Sequence, residues 1–501
     1  IEAALLDGRI DIAIHSAKDV PTEEDPRLAI AAYLPRADAR DALVIGRGIE
    51  LQDDAPPSLA SLPAGARVGT DSPRRTAFLR AARPDLTIHS LHGNVDTRLR
   101  RLDAGETDAL VLAAAGLDRL GLADRIACRF AARSIPPAPG QGALAIQTRT
   151  GDGPTRALVG HLDDPGTRRT VELERAILAR SGGGCRAPLG VLAVGDAEGI
   201  TVSAGYARLA GDLAVHATRR SVAATDDGLA AAVLADLAGR AIHAAMAGDG
   251  PRVIVTRETE RAAATALALV DRGLAPIVVP CIAVTVEANQ DLDLALGGLA
   301  DRPTADWIVL TSVNAVRAVR TAADRLGLDL SIVPGPRWAA IGRATAAAMR
   351  EAGIRVDEQP PHADGRSLAA SLPIEPGSRV LLPRGDLADD VLPLALAERG
   401  AAVTSIVVYR TLEAPGNSAP LLGAALDERP HAIVATSGST VRGLLALGRA
   451  IGVEDRIRVI PLIAIGPGTA AEAVRLGFDV AGHAAMQGPG GIADAVAAAV
   501  A

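Results

Sequence analysis

The chain reads as an α/β protein throughout, and three observations say so. Short β-type runs alternate with Ala- and Leu-rich helical stretches along nearly the whole length, the pattern of sheets flanked by helices. Aromatic residues make up only 2% of the chain. Its cores must therefore be built from Ala, Val, Leu and Ile, which suits interdigitated helix–sheet layers better than an all-β sandwich. The second half also repeats a pair of strand-to-helix segments, the mark of two similar lobes.

Strands are expected at 10–15, 109–113, 253–256, 307–311, 380–383 and 432–436, where branched apolar residues cluster between turn-forming ones. A helix is expected at 1–6; it carries neither an initiator Met nor a signal-peptide pattern, so the reading is of a chain truncated at its start. At 501 residues the chain needs several domains, since single cores rarely grow past about 250–300 residues. The main join falls at 247–252, where Ala-Gly-Asp-Gly-Pro-Arg closes a helix before a new strand.

The repeat is explicit. The run 307–316, Trp-Ile-Val-Leu-Thr-Ser-Val-Asn-Ala-Val, recurs at 432–441 as Ala-Ile-Val-Ala-Thr-Ser-Gly-Ser-Thr-Val. Likewise 341–346, Ile-Gly-Arg-Ala-Thr-Ala, recurs at 465–470 as Ile-Gly-Pro-Gly-Thr-Ala, each followed by a helix ending in Gly353 or Gly477. Two α/β lobes with a cleft between them make a ligand-binding architecture.

Bulk chemistry excludes some function classes. A net charge of −7 argues against a general nucleic-acid binder, which needs a broad basic face. No uninterrupted apolar run reaches about 18 residues, so no membrane helix is expected. Cys128, Cys185 and Cys281 lie far apart with no Cys-x-x-Cys pair. Neither a zinc site nor a disulfide framework is expected, and a reducing cytoplasm is the simpler compartment.

Positive charge is instead local. In Gly69-Thr70-Asp71-Ser72-Pro73-Arg74-Arg75, Ser72 is a good N-cap and Pro73 fits the first helical position. The helix dipole disfavours cations there by about 0.3–1 kcal/mol each, so two arginines in that turn point to an anion held at the helix start. A solvated helix start is the plainer alternative. His15-Ser16-Ala17-Lys18-Asp19-Val20-Pro21 follows a strand, placing a Lys–Asp pair at a strand's carboxyl end, where open α/β sheets bind ligands; from position alone, a loop ion pair is the favoured reading. Cys185 stands in Ser181-Gly182-Gly183-Gly184-Cys185-Arg186-Ala187-Pro188. A lone cysteine is usually a small buried apolar residue, but three glycines leave this sulfur little cover and Arg186 would favour its thiolate.

These segments, with Gly93-Asn94-Val95-Asp96-Thr97-Arg98-Leu99 and Pro139-Gly140-Gln141-Gly142, stand in the order seen in hydroxymethylbilane synthases (porphobilinogen deaminases), and residues 1–245 resemble that family. The resemblance implies three small α/β domains: 1–35 with 134–149, 37–132, and 152–247. It implies that four porphobilinogens join into hydroxymethylbilane with release of ammonia, on a dipyrromethane cofactor tethered by a thioether to Cys185. Asp19 would bond pyrrole N–H groups, stabilise developing positive charge and assist proton transfer. Lys18, Ser72, Arg74, Arg75, Arg98 and Arg119 would hold carboxylates of cofactor and substrate; Thr70 would add a hydroxyl contact, and His92 would stand beside the substrate. Two departures stand out. His92 replaces the arginine usual in the family, and it cannot make a bidentate fork; the family's opening strand, with Thr-Arg-x-Ser, is missing before Ile1.

In the second half, hydroxyls at Thr311, Ser312, Thr345, Thr436, Ser437, Ser439 and Thr469 sit where strands end and helices begin. N-capping explains any one of them; several converging on a cleft suit a polycarboxylate. The ordered set 253–257, 307–316, 341–346, Val407-Val408-Tyr409-Arg410-Thr411, 432–441 and 465–470 resembles uroporphyrinogen-III synthase over 251–501. That implies lobes of 251–283 with 410–501 and of 289–403, and cofactor-free closure of hydroxymethylbilane to uroporphyrinogen III with ring-D inversion. Tyr409 matches the family tyrosine assigned to hydroxyl departure, and Ser312, Ser437 and Thr469 would line the cleft. Porphobilinogen and hydroxymethylbilane are then the partners, with no nucleic acid and no membrane. Two rivals stand beside this reading: an inactive deaminase-like scaffold on an active synthase, and a pair of bilobed anion-binding modules.

Overall fold

The computed structural model describes residues 1–22, 25–51, 57–182, 187–221, 226–286, 288–301, 305–330 and 335–501. Cys185 and Arg186 lie outside the described residues. The chain forms two compact units, 1–280 with 418–501 and 281–417, and both are layered α/β structures.

Among the described residues, four sheets make up the first unit. In the first, Leu144–Arg149 runs between Ala13–Ser16 and Leu28–Tyr33, antiparallel to both. The chain leaves this sheet after Tyr33 and builds a mixed sheet in the order Thr87–His89, Arg67–Gly69, Ala109–Ala113, Asp41–Ile45, Cys128–Arg129, before returning at Leu144. The outgoing and returning segments touch: the Ala37 amide donates to the Gly142 carbonyl at 3.1 Å. A Cβ on Gly142, whose φ is +88°, would lie 2.6 Å from the Ala37 carbonyl oxygen, so only glycine fits there.

A third sheet, wholly antiparallel, has the order Ala214–Ser221, Gly199–Ala207, Leu189–Asp196. Helix Pro165–Ser181 packs on it. This helix starts where Asp164 accepts from the Thr167 amide at 2.7 Å and stops at Gly182 with φ +68°, a left-handed C-cap. Its Glu174 is fully buried and receives Arg36 Nη1 at 2.7 Å and Nη2 at 2.9 Å, the Gly140 amide at 2.7 Å and the Ala193 amide at 2.7 Å. One carboxylate thus ties both crossing segments to the third sheet.

Helix Asp226–Met246 covers the same sheet. Its 228–246 stretch has a mean hydropathy of 1.4, long and apolar enough by those measures alone to cross a membrane. The expectation of no such helix overlooks this stretch because Asp236 and Arg240, which pair at 3.0 Å, interrupt the run. Its Leu229, Val233, Leu237 and Ala241 form a stripe buried in the core of this unit, and 39% of the 228–246 stretch is buried in all. The fourth sheet is all parallel: Ala275–Val278, Arg252–Val255, Ala432–Ala435, Leu462–Ala464, Val480–His483.

The second unit holds one sheet, ordered Ile282–Thr285, Ala402–Glu413, Arg379–Gly385, Trp307–Leu310, Arg337–Ala340. All pairings are parallel except the first, where Ile282 faces Glu413 and Thr285 faces Arg410. The Ala414 amide closes that ladder on the Cys281 carbonyl at 2.9 Å.

The repeat is plain at this level. In one unit Trp307–Leu310 leads to Ser312, which caps helix Val313–Leu326, and the parallel neighbour Arg337–Ala340 leads to Gly342, which caps Arg343–Glu351. In the other, Ala432–Ala435 leads to Ser437 and helix Gly438–Ala450, and Leu462–Ala464 leads to Gly466 and helix Pro467–Arg475. All four caps are in extended backbone, which turns each helix start toward the carboxyl edge of its sheet.

Candidate functional site

The first cluster forms where strand Ala13–Ser16 ends in the turn Ala17–Asp19 and where helix Pro73–Ala82 begins. Ser72 does cap that helix, its Oγ accepting from the Arg75 amide at 3.4 Å, with Pro73 in the first turn. The helix stops before Pro84, which cannot continue it.

Arg74 and Arg75 are both buried, 4% and 6% exposed, and both meet Asp41, which is fully buried. Arg75 gives Nε at 3.0 Å and Nη2 at 2.6 Å to Asp41 Oδ1, and Nη1 at 3.0 Å to the Val111 carbonyl. Arg74 Nη1 pairs with Asp41 Oδ2 at 2.8 Å and also donates to the Pro136 carbonyl. Burial alone would raise the Asp41 pKa; the two guanidiniums outweigh it and hold the carboxyl well below its usual range. The sequence suggests two arginines awaiting an external anion. The fold supplies an internal one first.

Gln141 joins the remaining cation to this pair. Its Nε2 donates to Asp41 Oδ1 at 2.9 Å and to the Ala39 carbonyl at 2.7 Å, while its Oε1 accepts from Lys18 Nζ at 3.3 Å and Arg75 Nη2 at 3.4 Å. Burial first, then the Arg75 charge, lowers the Lys18 pKa to about 8, against opposition from Asp19 and Asp41. Asp19 itself is exposed, and no hydrogen bond or ion pair engages its carboxylate among the described residues.

A second group surrounds Asp71. Its Oδ1 accepts from Ser90 Oγ at 2.6 Å, and its Oδ2 lies 3.0 Å from His92 Nδ1 and 3.3 Å from Arg98 Nη2. Arg98 Nε donates to the Gly93 carbonyl at 2.8 Å. The His92 side chain is 84% exposed, so it stands in solvent at the mouth of this group. Thr70 is buried, its Oγ1 accepting from the Ser72 amide at 3.3 Å. Arg119 Nη2 donates to the Gly142 carbonyl at 2.8 Å.

Counted together, Lys18, Arg74, Arg75 and Arg98 face three carboxylates, Asp19, Asp41 and Asp71. The excess is positive, and the depressed Lys18 ammonium is what burial beside unneutralised charge produces. Arg74 Nε is also buried with no hydrogen-bond partner. This donor set fits a polycarboxylate such as a dipyrromethane with acetate and propionate arms. Asp41 is the residue of this cluster that sequence reasoning misses; Gln141 lies inside a recognised motif but without a role.

The second cluster lies in the 281–417 unit. Ser312 Oγ accepts from the Ala315 amide at 3.1 Å and donates to the Tyr409 hydroxyl at 3.1 Å. Tyr409 sits half-buried near the end of the long strand Ala402–Glu413. In the other unit, Ser437 Oγ accepts from the Thr440 amide at 3.2 Å and shares a hydrogen with Ser439 Oγ at 2.8 Å. Thr440 Oγ1 in turn accepts from the Ser437 amide at 3.1 Å, completing a capping box. Thr469 is buried in the first turn of Pro467–Arg475.

Comparison with known proteins finds two families, one in each half of the chain. Residues 1–157 match the family model "porphobilinogen deaminase, dipyromethane cofactor binding domain", and 263–493 match that of "uroporphyrinogen-III synthase HemD". Porphobilinogen deaminase of Roseiflexus castenholzii is 45% identical over 248 residues, 50% of this chain and 79% of that protein. That of Deinococcus radiodurans is 44% identical over 240 residues, 48% of this chain and 75% of its own length; that of Acidothermus cellulolyticus is 48% identical, with 45% and 66% covered. Among solved structures, a mutant uroporphyrinogen III synthase of Thermus thermophilus aligns with 50% of this chain and 98% of its own, at 22% identity and a TM-score of 0.39.

Proposed function

We propose, from the premise that this chain belongs to the porphobilinogen deaminase family and carries a uroporphyrinogen-III synthase behind it, a specific division of labour among its residues. The chain as a whole serves tetrapyrrole biosynthesis: it joins four porphobilinogens into hydroxymethylbilane with loss of ammonia, then closes the product to uroporphyrinogen III.

In the deaminase, Cys185 holds the dipyrromethane cofactor through a thioether. When bound, that group supplies the pyrrole carbon from which the chain grows. Lys18, Ser72, Arg98 and Arg119 hold carboxylate arms by charge and hydrogen bond. Arg74 and Arg75 keep the local potential positive while Asp41 holds them in place. Thr70 fixes the turn ahead of Ser72, and His92 meets the outer arm of the incoming substrate. Asp19 is the carboxylate of this group left unengaged among the described residues. It accepts hydrogen bonds from pyrrole N–H groups, stabilises positive charge on porphobilinogen as ammonia leaves, and assists proton transfer.

In the synthase, loss of water from a pyrrole carbinol is intrinsically easy, so the main task is to hold the linear tetrapyrrole in the geometry that inverts ring D. Tyr409, its oxygen steadied by Ser312, donates toward the departing hydroxyl. Ser437 and Thr469, beside the free amides of their helix starts, receive carboxylate arms.

The observation that carries the reading is the positive excess around Lys18 and Asp41 inside a chain of net charge −7. Intact mass spectrometry of the full chain from porphobilinogen-producing cells tests it: a dipyrromethane adduct is expected, absent in Cys185→Ser. An unmodified wild-type mass would overturn the assignment.

A further inference from the structure

The core around strands Leu189–Asp196, Gly199–Ala207 and Ala214–Ser221 does not end with the deaminase. Ala263, Leu267 and Val270, on the first synthase helix Thr259–Asp271, pack in the same apolar cluster as Val233 and Leu237 of helix Asp226–Met246. The buried residues Leu229, Val233, Leu234, Leu237, Ala238 and Ala241 of the latter helix form one broad apolar stripe, shared between the sheet and the synthase helix. Polar contacts stitch the seam. The Tyr206 hydroxyl donates to the Leu267 carbonyl at 3.2 Å. In the connector, a Cβ on Gly250 would lie 2.4 Å from the Gly273 carbonyl oxygen, so the link is packed down.

The seam also reaches the described residues on either side of Cys185. Gly182 lies so near Pro489 that a Cβ on it would stand 2.9 Å from the proline Cγ. Gly182, Ala187 and Leu189 line one cavity of about 290 Å³ with Leu267 and Pro489 of the synthase.

We propose that the synthase positions the deaminase's cofactor segment: Leu267 and Pro489 act as positioning residues for porphobilinogen condensation, through the stems that flank Cys185. The inference rests on the reading that Cys185 carries the cofactor. Its logic is geometric. A displacement of about 1 Å at a reacting centre costs on the order of a hundredfold in rate, and stems packed against a neighbouring enzyme inherit that neighbour's rigidity.

The experiment uses the full chain. Intact mass of the wild type first reports the adduct, and its absence would sink the underlying reading without bearing on the seam. Porphobilinogen consumption is then compared for Gly182→Ala, Pro489→Ala and the double variant. Gly182→Ala is expected to slow consumption about tenfold, and Pro489→Ala on the order of twofold. The double variant is expected to be faster than Gly182→Ala alone, because loss of the ring makes room for the methyl group. Multiplied losses in the double variant overturn the proposal, and so does a fall in consumption that merely tracks the loss of folded protein across the three variants, read from thermal midpoints and from kcat per adduct-bearing molecule. Should Gly182→Ala not fold, a specific protease site replacing exposed residues 247–249 provides an independent test. After cleavage the two pieces should co-elute and keep consuming porphobilinogen. Pieces that part while consumption continues at the uncut rate overturn it equally.

Discussion

The ring of Tyr409 fills the space that a side chain on residue 385 would need: a Cβ built on Gly385 falls 2.5 Å from Cε2 and Cζ and 2.7 Å from the hydroxyl oxygen. Ser312 fixes the same oxygen by a hydrogen bond. The position of this phenol is therefore set by an absence and a hydrogen bond together.

Gly385→Ala should accordingly act as a displacement of Tyr409. Type III uroporphyrinogen formation from supplied hydroxymethylbilane is expected to fall about tenfold or more, as with Tyr409→Phe, while porphobilinogen consumption stays at the wild-type rate. If both variants make the type III isomer at full speed, Tyr409 has no part in ring closure.

Asp41 is expected to be the most sensitive polar residue of the deaminase. It is fully buried between two guanidiniums, and removing one partner of a buried pair costs about 3–5 kcal/mol because the other is left uncompensated. Asp41→Ala should lower the thermal midpoint by several degrees. Asp41→Ala with Arg74→Met should recover part of the loss, and a double variant no more stable than the single would show the pairing to be unimportant.

Lys18 gives a pH dependence. Its folded pKa, about 8, lies below the ordinary lysine value of 10.5, so the charged form is disfavoured by the fold. That penalty is present below pH 8 and disappears as pH rises from 8 toward 10.5. A carboxylate arm beside the ammonium reverses the shift, so substrate binding should take up a proton in that window and KM for porphobilinogen should climb above pH 8. Lys18→Arg keeps its charge and should flatten the climb. An identical KM profile in the two proteins would remove Lys18 from carboxylate binding.

Asp271 offers a stability test at the seam. Its Oδ1 is buried without a hydrogen-bond partner, and burial raises its pKa although Arg272 and Arg208 oppose the shift. A raised carboxyl pKa means that stability is greatest below the unfolded value and is lost as pH rises from there through the folded one. Asp271→Asn should therefore raise the thermal midpoint at neutral pH and have little effect in acid, below the ordinary aspartate range. A drop at neutral pH would mean that the arginines dominate.

How far the sequence is legible follows from how local each feature is. The Ser72 cap, the Pro73 start and the Ala109–Ala113 strand each depend on a few neighbouring residues, and the structure forms them where those residues stand. The repeat is equally plain, because a strand-cap-helix unit writes its whole pattern in one stretch. Asp41 is not legible. Its partners Arg75 and Gln141 stand 34 and 100 residues away, and nothing about an aspartate opening an apolar strand announces a buried cation pair. Helix Asp226–Met246 is obscure for a related reason: its second covering layer comes from the next enzyme.

The antiparallel ladder between Ile282–Thr285 and the end of Ala402–Glu413 has a consequence for ancestry and engineering. The entrance and exit of the 281–417 unit are stapled side by side, with Cys281 and Ala414 in direct hydrogen bond. A module whose ends meet can be lifted out, permuted or grafted elsewhere without breaking its sheet. This lobe therefore has the topology of a cassette, entered and left at one place.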